Sequence, residues 1–191
     1  MRQSAAEIDH GILDVAAGIF ATHGYAHTSV QQIADAVGYS KPGLLHRFGS
    51  KDALHRAALA EVGDTVQELI GHATAHRDEP DQVRQVLELI TRKALERPGM
   101  VQMMLAAFEP ASQEPGTQEI QAAGYRLVDA LDHPAGRSAE RLRVVLAIKL
   151  IASAAMAQHS PGDADLHVDH DELVPLLVEL AAQVMGASVG G

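Results

Sequence analysis

Apolar residues recur at three- and four-residue spacing along most of the chain, which is the spacing of one face of an α-helix. In the first such segment the recurring residues are Ile8, Ile12, Val15, Ile19 and Phe20. Gly24 follows directly after them, where a helix commonly ends. No segment shows the alternation of a strand, so the pattern predicts an all-α protein whose first helix covers roughly residues 4–22.

Two short helices are predicted next. Thr28 or Ser29 caps a helix over about residues 29–36. After a glycine turn, Ser40 caps a second short helix that carries Pro42 in its first turn, where the missing N–H costs nothing. The apolar positions are Val30, Ile33, Ala34 and Val37 in the first helix, and Leu44, Leu45 and Phe48 in the second.

A longer helix opens at Ser50 and runs to about His76, before a break at residues 77–81. Helical spacing then returns over residues 83–95, 100–108, 118–131, 137–159 and 172–185, with polar loops at 109–117, 133–136 and 160–171. Pro175 is expected in the first turn of the last helix. These segments predict about nine helices: a three-helix head in an N-terminal domain over residues 1–50, and a C-terminal helical bundle over 51–191.

The composition narrows the class of protein. Hydrophobic residues make up 47% of the 191 residues but aromatic residues only 3%, so Ala, Leu, Val and Ile must build the core. The absence of cysteine excludes a disulfide framework, a thiolate metal site and a cysteine nucleophile. The first residues carry acids where a signal peptide is apolar, and no apolar run has the length of a membrane span. We therefore expect a cytoplasmic protein with no membrane partner.

The position of the charge matters more than its total of −10. Through residue 56 the chain carries five basic and five acidic residues, so the whole deficit lies after that point. Four of the bases, Lys41, Arg47, Lys51 and Arg56, lie close together. Such a patch contacts phosphates while an acidic body repels DNA elsewhere. Charge alone leaves open whether this neutral region binds nucleic acid.

Residues 28–54 carry the most informative pattern, because two short helices joined by a turn, the second polar and basic, predict a helix-turn-helix. The longer run over residues 12–59 resembles the N-terminal region of TetR-family transcriptional regulators. The shared motifs are F-x-x-x-G-Y from Phe20, T-S-V-x-x-I-A from Thr28, G-Y-S-K from Gly38, and L-x-x-x-F-x-S-K-x-x-L from Leu44. The resemblance covers the first third of the chain, and the remainder agrees in length and helical character.

The resemblance implies a sequence-specific DNA-binding regulator that is not an enzyme and needs no cofactor. It assigns DNA contacts to Thr28, Gln31, Ser40, Lys41, Gly43, Leu45, His46, Arg47 and Lys51. Lys41 and Arg47 suit guanine, and Lys51 suits a phosphate at a helix N-terminus. Gly43 stands where the family commonly has Thr or Ser, and Leu45 where it has Tyr, so two expected contacts are missing. The alternative interpretation is that the hydroxyl residues only cap helices and the bases are plain surface charges.

The resemblance also implies a homodimeric repressor that a small-molecule effector releases from a palindromic double-stranded operator. The dimer would form through helices 137–159 and 172–185. Its apolar positions are Leu142, Val145, Leu146, Leu150, Ala154 and Ala157, with Leu173, Leu176, Leu177, Leu180 and Val184. The effector would contact an apolar pocket lined by Met100, Met103, Met104, Phe108 and Tyr125. For both sets, packing within one monomer is the simpler alternative.

Two other functions compete with this interpretation. His72 and His76 lie four residues apart, and Asp163, Asp165, His167, Asp169 and His170 crowd one loop, which is suggestive of a metal-responsive regulator. A surface pair and a solvated loop are the simpler interpretation, because a metal site needs converging ligands. The second competitor is a helical adaptor whose head has lost its affinity for DNA. Catalytic motifs such as a P-loop, G-x-G-x-x-G or H-E-x-x-H do not occur.

Overall fold

The helices begin and end close to where the apolar spacing predicts. The computed structural model describes residues 4–77, 79–109, 115–131, 138–159 and 168–186, and within these ranges it contains nine helices and no strand. The helices are α1 (Ala5–His23), α2 (Val30–Ala36), α3 (Lys41–Phe48), α4 (Lys51–Ala75), α5 (Gln82–Glu96), α6 (Pro98–Ala107), α7 (Thr117–Leu131), α8 (Ser138–Gln158) and α9 (His170–Met185). The all-α prediction is confirmed.

Side-chain caps set the starts of the first helices. Ser4 and Glu7 form a capping box at α1, in which the Glu7 N–H donates to Ser4 Oγ (3.2 Å) and the Ser4 N–H donates to Glu7 Oε2 (2.6 Å). These hydrogen bonds lower the pKa of Glu7 below its ordinary value. Ser29, rather than Thr28, caps α2, and Ser40 caps α3 as predicted.

Two prolines lie differently from the sequence prediction. Helical spacing predicted that α6 begins at about residue 100, whereas Pro98 is its first residue. The α6 N-terminus is capped from α1, where Asp14 Oδ1 accepts a hydrogen bond from the Met100 N–H (2.9 Å). Pro175 lies inside α9 rather than in its first turn, because the helix begins earlier, at His170. An interior proline removes one backbone hydrogen bond, and this one lies at an exposed position.

The contacts divide the chain into two compact units. Unit 1 comprises Met1–Asp64 and Arg97–Gln121, and unit 2 comprises Thr65–Glu96 and Ala122–Gly191. In this division α6 groups with the three-helix head. The functional domains predicted from the sequence, residues 1–50 and 51–191, stay predictions, because contacts alone do not assign a role to either part.

In unit 1, α1 packs closely against α6. A Cβ atom added to Gly99 would lie 1.9 Å from the Asp14 carbonyl oxygen, and one added to Gly18 would lie 3.3 Å from Gly99 Cα. The glycines therefore allow the two backbones to approach more closely than side chains permit. The large side chains of this core that are most fully buried are Ile33, Leu44, Leu54 and Val62.

In unit 2, α5 packs against both α8 and α9, and the last two helices are antiparallel. The Val168 N–H donates to Gln158 Oε1 (3.0 Å), which places the start of α9 beside the end of α8. At the other end, a Cβ atom on Gly186 would lie 2.7 Å from Nη1 of Arg143. The core of unit 2 includes Val86, Leu87, Ile90, Ala147, Ile151, Ala155, Val178 and Ala181.

Two leucines that the sequence placed on the dimer surface, Leu173 and Leu177, are instead buried within unit 2. The apolar stripe of α9 is wider than one contact face, so part of it packs inside the monomer.

Within the described ranges, no helix is both long and apolar enough to span a bilayer.

Candidate nucleic-acid interface

α2 and α3 pack against each other and leave one face of α3 open. Ile33 and Ala34 on α2 and Leu44 on α3 are buried in the core of unit 1. The turn between the two helices passes through Gly38, whose φ of 71° favours glycine. This is the arrangement in which a helix-turn-helix presents its second helix to the major groove.

The open face of α3 is polar around its N-terminus. Ser40, Lys41 and His46 are exposed, whereas Gly43 and Leu45 are partly buried. The hydroxyl of Ser40 accepts a hydrogen bond from the Gly43 N–H (3.1 Å), so its cap is occupied whether or not DNA is bound. Lys41 has no ion pair or hydrogen bond within the described part of the chain. Its ammonium is therefore available to an external acceptor.

Arg47, the second base predicted to read guanine, is held by α1. Its Nε pairs with the Asp9 carboxylate, and its Nη2 donates to the Ala5 carbonyl oxygen (2.9 Å). The hydrogen bond and charge of Asp9 raise the pKa of the guanidinium above its ordinary value. The structure thus places Arg47 at the exposed end of α3, but with donors already engaged inside the unit.

Lys51 and Thr28 lie together at the base of the helix-turn-helix. Lys51 Nζ donates to the Thr28 carbonyl oxygen (2.8 Å) and lies 4.3 Å from the centroid of the Tyr25 ring. Thr28 is only 3% exposed, and its hydroxyl donates to the carbonyl oxygen of Gly24 (2.8 Å). These two residues therefore hold the loop before α2 in place, apart from any contact they make with phosphate.

Gln31 is the remaining predicted contact. It is exposed on α2, and its Nε2 donates to Asp35 Oδ1 one turn later (2.6 Å). The exposed carboxylate of Asp35 makes this part of α2 less favourable for phosphate than the N-terminus of α3.

The charge cluster contains one further base that the sequence assigned no role. Arg56 is exposed in the second turn of α4 and, among the described residues, has neither an ion pair nor a hydrogen bond. Of the four bases between residues 41 and 56, two are therefore engaged within unit 1 and two are open. The clustering of bases in the sequence could have identified Arg56 as a candidate phosphate contact. Only the structure shows that Arg56 is open whereas Lys51 is engaged.

An aromatic cluster behind the interface was not predicted. His55 is buried on α4, with its ring centroid 4.7 Å from that of Phe20 and 4.9 Å from that of Tyr25. The Tyr25 hydroxyl also hydrogen-bonds to the Asp52 carboxylate. The cluster joins α1, the loop after it, and α4, and so fixes the support on which α2 and α3 rest.

The predicted effector residues differ in burial and belong to both units. Met100 and Met103 are buried in the core of unit 1, Met104 and Phe108 are partly buried, and Tyr125 in unit 2 is 53% exposed. Met103 alone of these borders a cavity of about 40 Å³. The other lining residues are Phe20, Ala21, His55, Leu59, Ala106, Ala107, Pro115, Thr117 and Ile120. A volume of this size holds little more than one water molecule.

The candidate metal ligands are only partly covered by the structure. The rings of His72 and His76 lie 4.3 Å apart, and Nδ1 of His76 lies 2.9 Å from the His72 carbonyl oxygen. Asp163, Asp165 and His167 lie outside the described residues, whereas Asp169 is the residue directly before α9 and His170 is the first residue of the helix. No group of three potential ligands occurs in the described ranges.

Comparisons with known proteins agree with this geometry. The family model of bacterial regulatory proteins, tetR family, matches residues 12–58. No curated protein is significantly similar in sequence.

Three solved structures are similar over nearly the whole chain. A TetR-family transcriptional regulator from Bordetella parapertussis 12822 is 23% identical, covers 96% of this chain and 98% of its own, and has a TM-score of 0.65. A TetR-like regulator from Rhodococcus sp. RHA1 is 23% identical over 98% and 100%, with a TM-score of 0.61. AmtR from Mycobacterium smegmatis is 23% identical over 99% and 89%, with a TM-score of 0.57. At these identities the likeness shows a shared fold.

Proposed function

We propose that this chain, which belongs to the TetR family of bacterial transcriptional regulators, is a homodimeric repressor that leaves a palindromic operator when a small-molecule effector binds. DNA-binding regulation is the function of the family. The dimer, the operator and the effector are the parts proposed here, and each rests on a different feature of the structure.

The observation that carries the proposal is the open N-terminal face of α3. In a helix-turn-helix the N-terminal residues of the second helix contact base edges. Here Lys41 lies in that turn with its ammonium unengaged, and His46 is exposed one turn further along. Lys41 suits the acceptors O6 and N7 of guanine or a phosphate oxygen. Gly43 carries no side chain, which lets the helix backbone approach the DNA closely.

Phosphate contacts would come from the sides of the same interface. Arg56 is open, and Lys51 lies at the N-terminus of α4, where backbone N–H groups favour anions. Such contacts fix the position of the protein on the duplex and carry no sequence information. The division of roles is therefore Lys41 and His46 for reading, and the bases of α4 for positioning on the backbone.

Exposed leucines on the last two helices support the dimer. Leu142 and Leu146 on α8 are 56% and 48% exposed, and Leu176 and Leu180 on α9 are 46% and 38% exposed. Each pair is four residues apart and so lies on one face of its helix. Because the helices are antiparallel, Leu146 and Leu180 lie at similar heights along the pair.

A face of large apolar side chains on a protein surface commonly marks an interaction site. Two copies of the α8–α9 pair that bury this face would form a four-helix bundle with two-fold symmetry. The same symmetry would place two heads on the two halves of a palindrome, whose centres are about 34–36 Å apart for sites one helical turn apart. A second copy of this chain is thus the partner that fits both features.

The small cavity beside Met103 supports an effector site within unit 1. Its walls come from α1 and α4 on one side and from α6 and the start of α7 on the other. Ligand pockets commonly measure about 300–1,000 Å³, so an organic effector would have to separate these walls. A ligand that binds only the expanded form shifts the population away from the form described here. Since α1 and α4 support α3, that shift would disturb the DNA-binding face.

Selection of bound sequences from random duplex DNA tests the proposed function. We expect an enriched palindrome, and binding that weakens as salt rises because phosphate contacts release counterions. Enrichment of no sequence, with no salt-dependent binding to any duplex, would contradict it and leave the adaptor interpretation. For the effector, we expect a compound that releases the operator to lose potency in Met103→Ala, and Met104→Ala is the control outside the cavity lining.

A further inference from the structure

We propose that Arg47 is a positioning residue, not a base-reading one: it fixes the C-terminal end of the recognition helix α3 against the first turns of α1. This inference rests on the proposed function, because it assigns roles within the same DNA-binding face. It differs from the expectation drawn from the family resemblance, which gave Arg47 a contact with guanine.

Arg47 has already engaged the donors of one edge of its guanidinium. A guanidinium recognises guanine through two parallel N–H groups on one edge. The Nε and Nη2 groups of Arg47, which together form one such edge, are bound to the Asp9 carboxylate and the Ala5 carbonyl oxygen. Reading a base through that edge would require breaking an ion pair and a backbone hydrogen bond at once.

The position of Arg47 on α3 is also unfavourable for a base contact. The helix covers only Lys41–Phe48, and Arg47 lies in its last turn. Base contacts of a helix-turn-helix come from the N-terminal residues of the second helix. Lys41 occupies that end and has no partner within the described residues. The two bases therefore lie at opposite ends of the helix, and only Arg47 is engaged by other residues of the chain.

The first turns of α1, to which Arg47 is bound, are themselves held in place. Ala5 is the first residue of α1, and the capping box of Ser4 and Glu7 closes the same turn. α1 is in turn fixed to α6 by the close approach of Gly18 and Gly99. Arg47 therefore joins α3 to a supported element, and the two contacts, made by different donors, restrict the direction in which α3 points.

The experiment compares operator affinity in Arg47→Gln, Asp9→Asn, the double variant, and the exchanged pair Asp9→Arg with Arg47→Asp. We expect each single variant to weaken operator binding by about three- to tenfold, which lies within the range of coupling between residues in contact. The double variant should add little. The exchanged pair should recover most of the affinity. The slope of log affinity against log salt should stay that of the wild type.

A base-reading or phosphate-binding Arg47 gives the opposite result. Arg47→Gln alone would then lose affinity and lower the salt slope by about 0.9 for a lost phosphate contact. Asp9→Asn would leave affinity unchanged or raise it, and the exchanged pair would not recover. Equal affinity in all four variants would also overturn the proposal.

Three controls separate this outcome from other failures. The wild type must first bind its selected operator, since absence of binding there contradicts the proposed function and not the role of Arg47. Arg92→Gln removes an exposed ion pair to Glu88 on α5 and should leave operator affinity unchanged. Thermal unfolding of every variant checks that the head remains folded.

The ratio of operator to unrelated-duplex affinity should fall in the single variants, because a misdirected α3 loses base contacts more than phosphate contacts.

Discussion

Unit 1 and unit 2 leave opposite kinds of side chain on their surfaces. Among the described residues of unit 1, Val15 is the one large apolar side chain that is exposed, and the open face of α3 carries a lysine and a histidine. In unit 2 the exposed large apolar residues are Tyr125, Leu142, Leu146, Leu176 and Leu180. A charged partner suits the first surface and a second apolar surface suits the other. This contrast is the basis of the proposal that unit 1 binds DNA and unit 2 binds the second protomer.

Within unit 1, two bases differ in whether their side chains are engaged by other residues. Lys41 and Arg47 are bases on the same short helix, yet one is open and the other is bound to α1. From residue type and position in the motif alone, both are predicted to contact guanine. What separates them is a contact that spans 38 residues of sequence. A basic residue in a recognition helix is thus a candidate contact only until its partners are known.

The largest effect is expected from substitutions in the exposed apolar surface of unit 2. Leu146→Asp together with Leu180→Asp would place charges in the proposed dimer face, and we expect a monomer by sedimentation. Because two linked heads gain about 10²- to 10⁴-fold in avidity, operator affinity should fall by at least about 100-fold in fluorescence anisotropy. Val15→Asp, at the exposed apolar residue of unit 1, is the matched control and should stay dimeric. An unchanged dimer in the double variant would contradict the assignment.

The next effect concerns the close contact of α1 with α6. Gly99→Ala should lower the free energy of unfolding by about 1–3 kcal/mol, as overpacking does, because its Cβ would meet the Asp14 carbonyl oxygen at 1.9 Å. Gly71→Ala is the control: it lies on α4 with nothing within 4 Å, and we expect a gain of about 0.5–1 kcal/mol. Urea unfolding measures both. Equal changes in the two variants would remove the role given to the close approach.

A smaller effect sharpens the contrast within α3. Lys41→Gln should weaken operator binding by about tenfold, as loss of one direct contact to base or phosphate does. Its thermal midpoint should stay that of the wild type, since Lys41 has no described partner to lose. Anisotropy titration against operator and unrelated DNA measures the change. Full affinity in Lys41→Gln would show that the open face of α3 is not the reading surface.

The smallest effect is a pH dependence at the start of α1. The folded pKa of Glu7 is lowered from its ordinary value of 4.5 by its hydrogen bonds with Ser4. A lowered folded pKa stabilises the protein above the unfolded value, and this stability is lost as pH falls below about 4.5 through the folded pKa. Wild type should therefore be slightly more stable than Glu7→Ala at pH 7, and the two should be equally stable once the pH lies below the folded pKa of Glu7. A difference that persists in acid would contradict the capping box as its source.

Much of the fold follows from apolar spacing and helix-start chemistry. The starts of α2, α3 and α4 were predictable because serine caps stand directly before them. The start of α6 was not, because its cap is the side chain of Asp14, 86 residues earlier in the sequence. The position of Pro175 was missed for a related reason: α9 begins at His170, and its N-cap residue Asp169 makes no side-chain capping bond that would mark the boundary.

The interface was predictable in place but not in detail. The motif from Thr28 to Leu54 locates the helix-turn-helix, because turn and cap residues at fixed offsets are local properties. The engagement of Arg47 and of Lys51 depends on side chains and carbonyls far away in sequence, so residue type does not reveal it. The same holds for α9, where Leu173 and Leu177 are buried and Leu176 and Leu180 are exposed. An apolar stripe of that width does not indicate which edge packs inside the monomer.

The proposal that unit 1 binds DNA and unit 2 forms the dimer is tested most directly by the number of chains bound to the selected operator. Sedimentation equilibrium should be measured on a duplex with two half-sites and on one in which a half-site is scrambled. We predict two chains on the intact duplex, and affinity for the scrambled duplex that is lower by at least about 100-fold, the lower end of the gain from linking two heads. One chain per duplex, with equal affinity for both duplexes, would contradict the account.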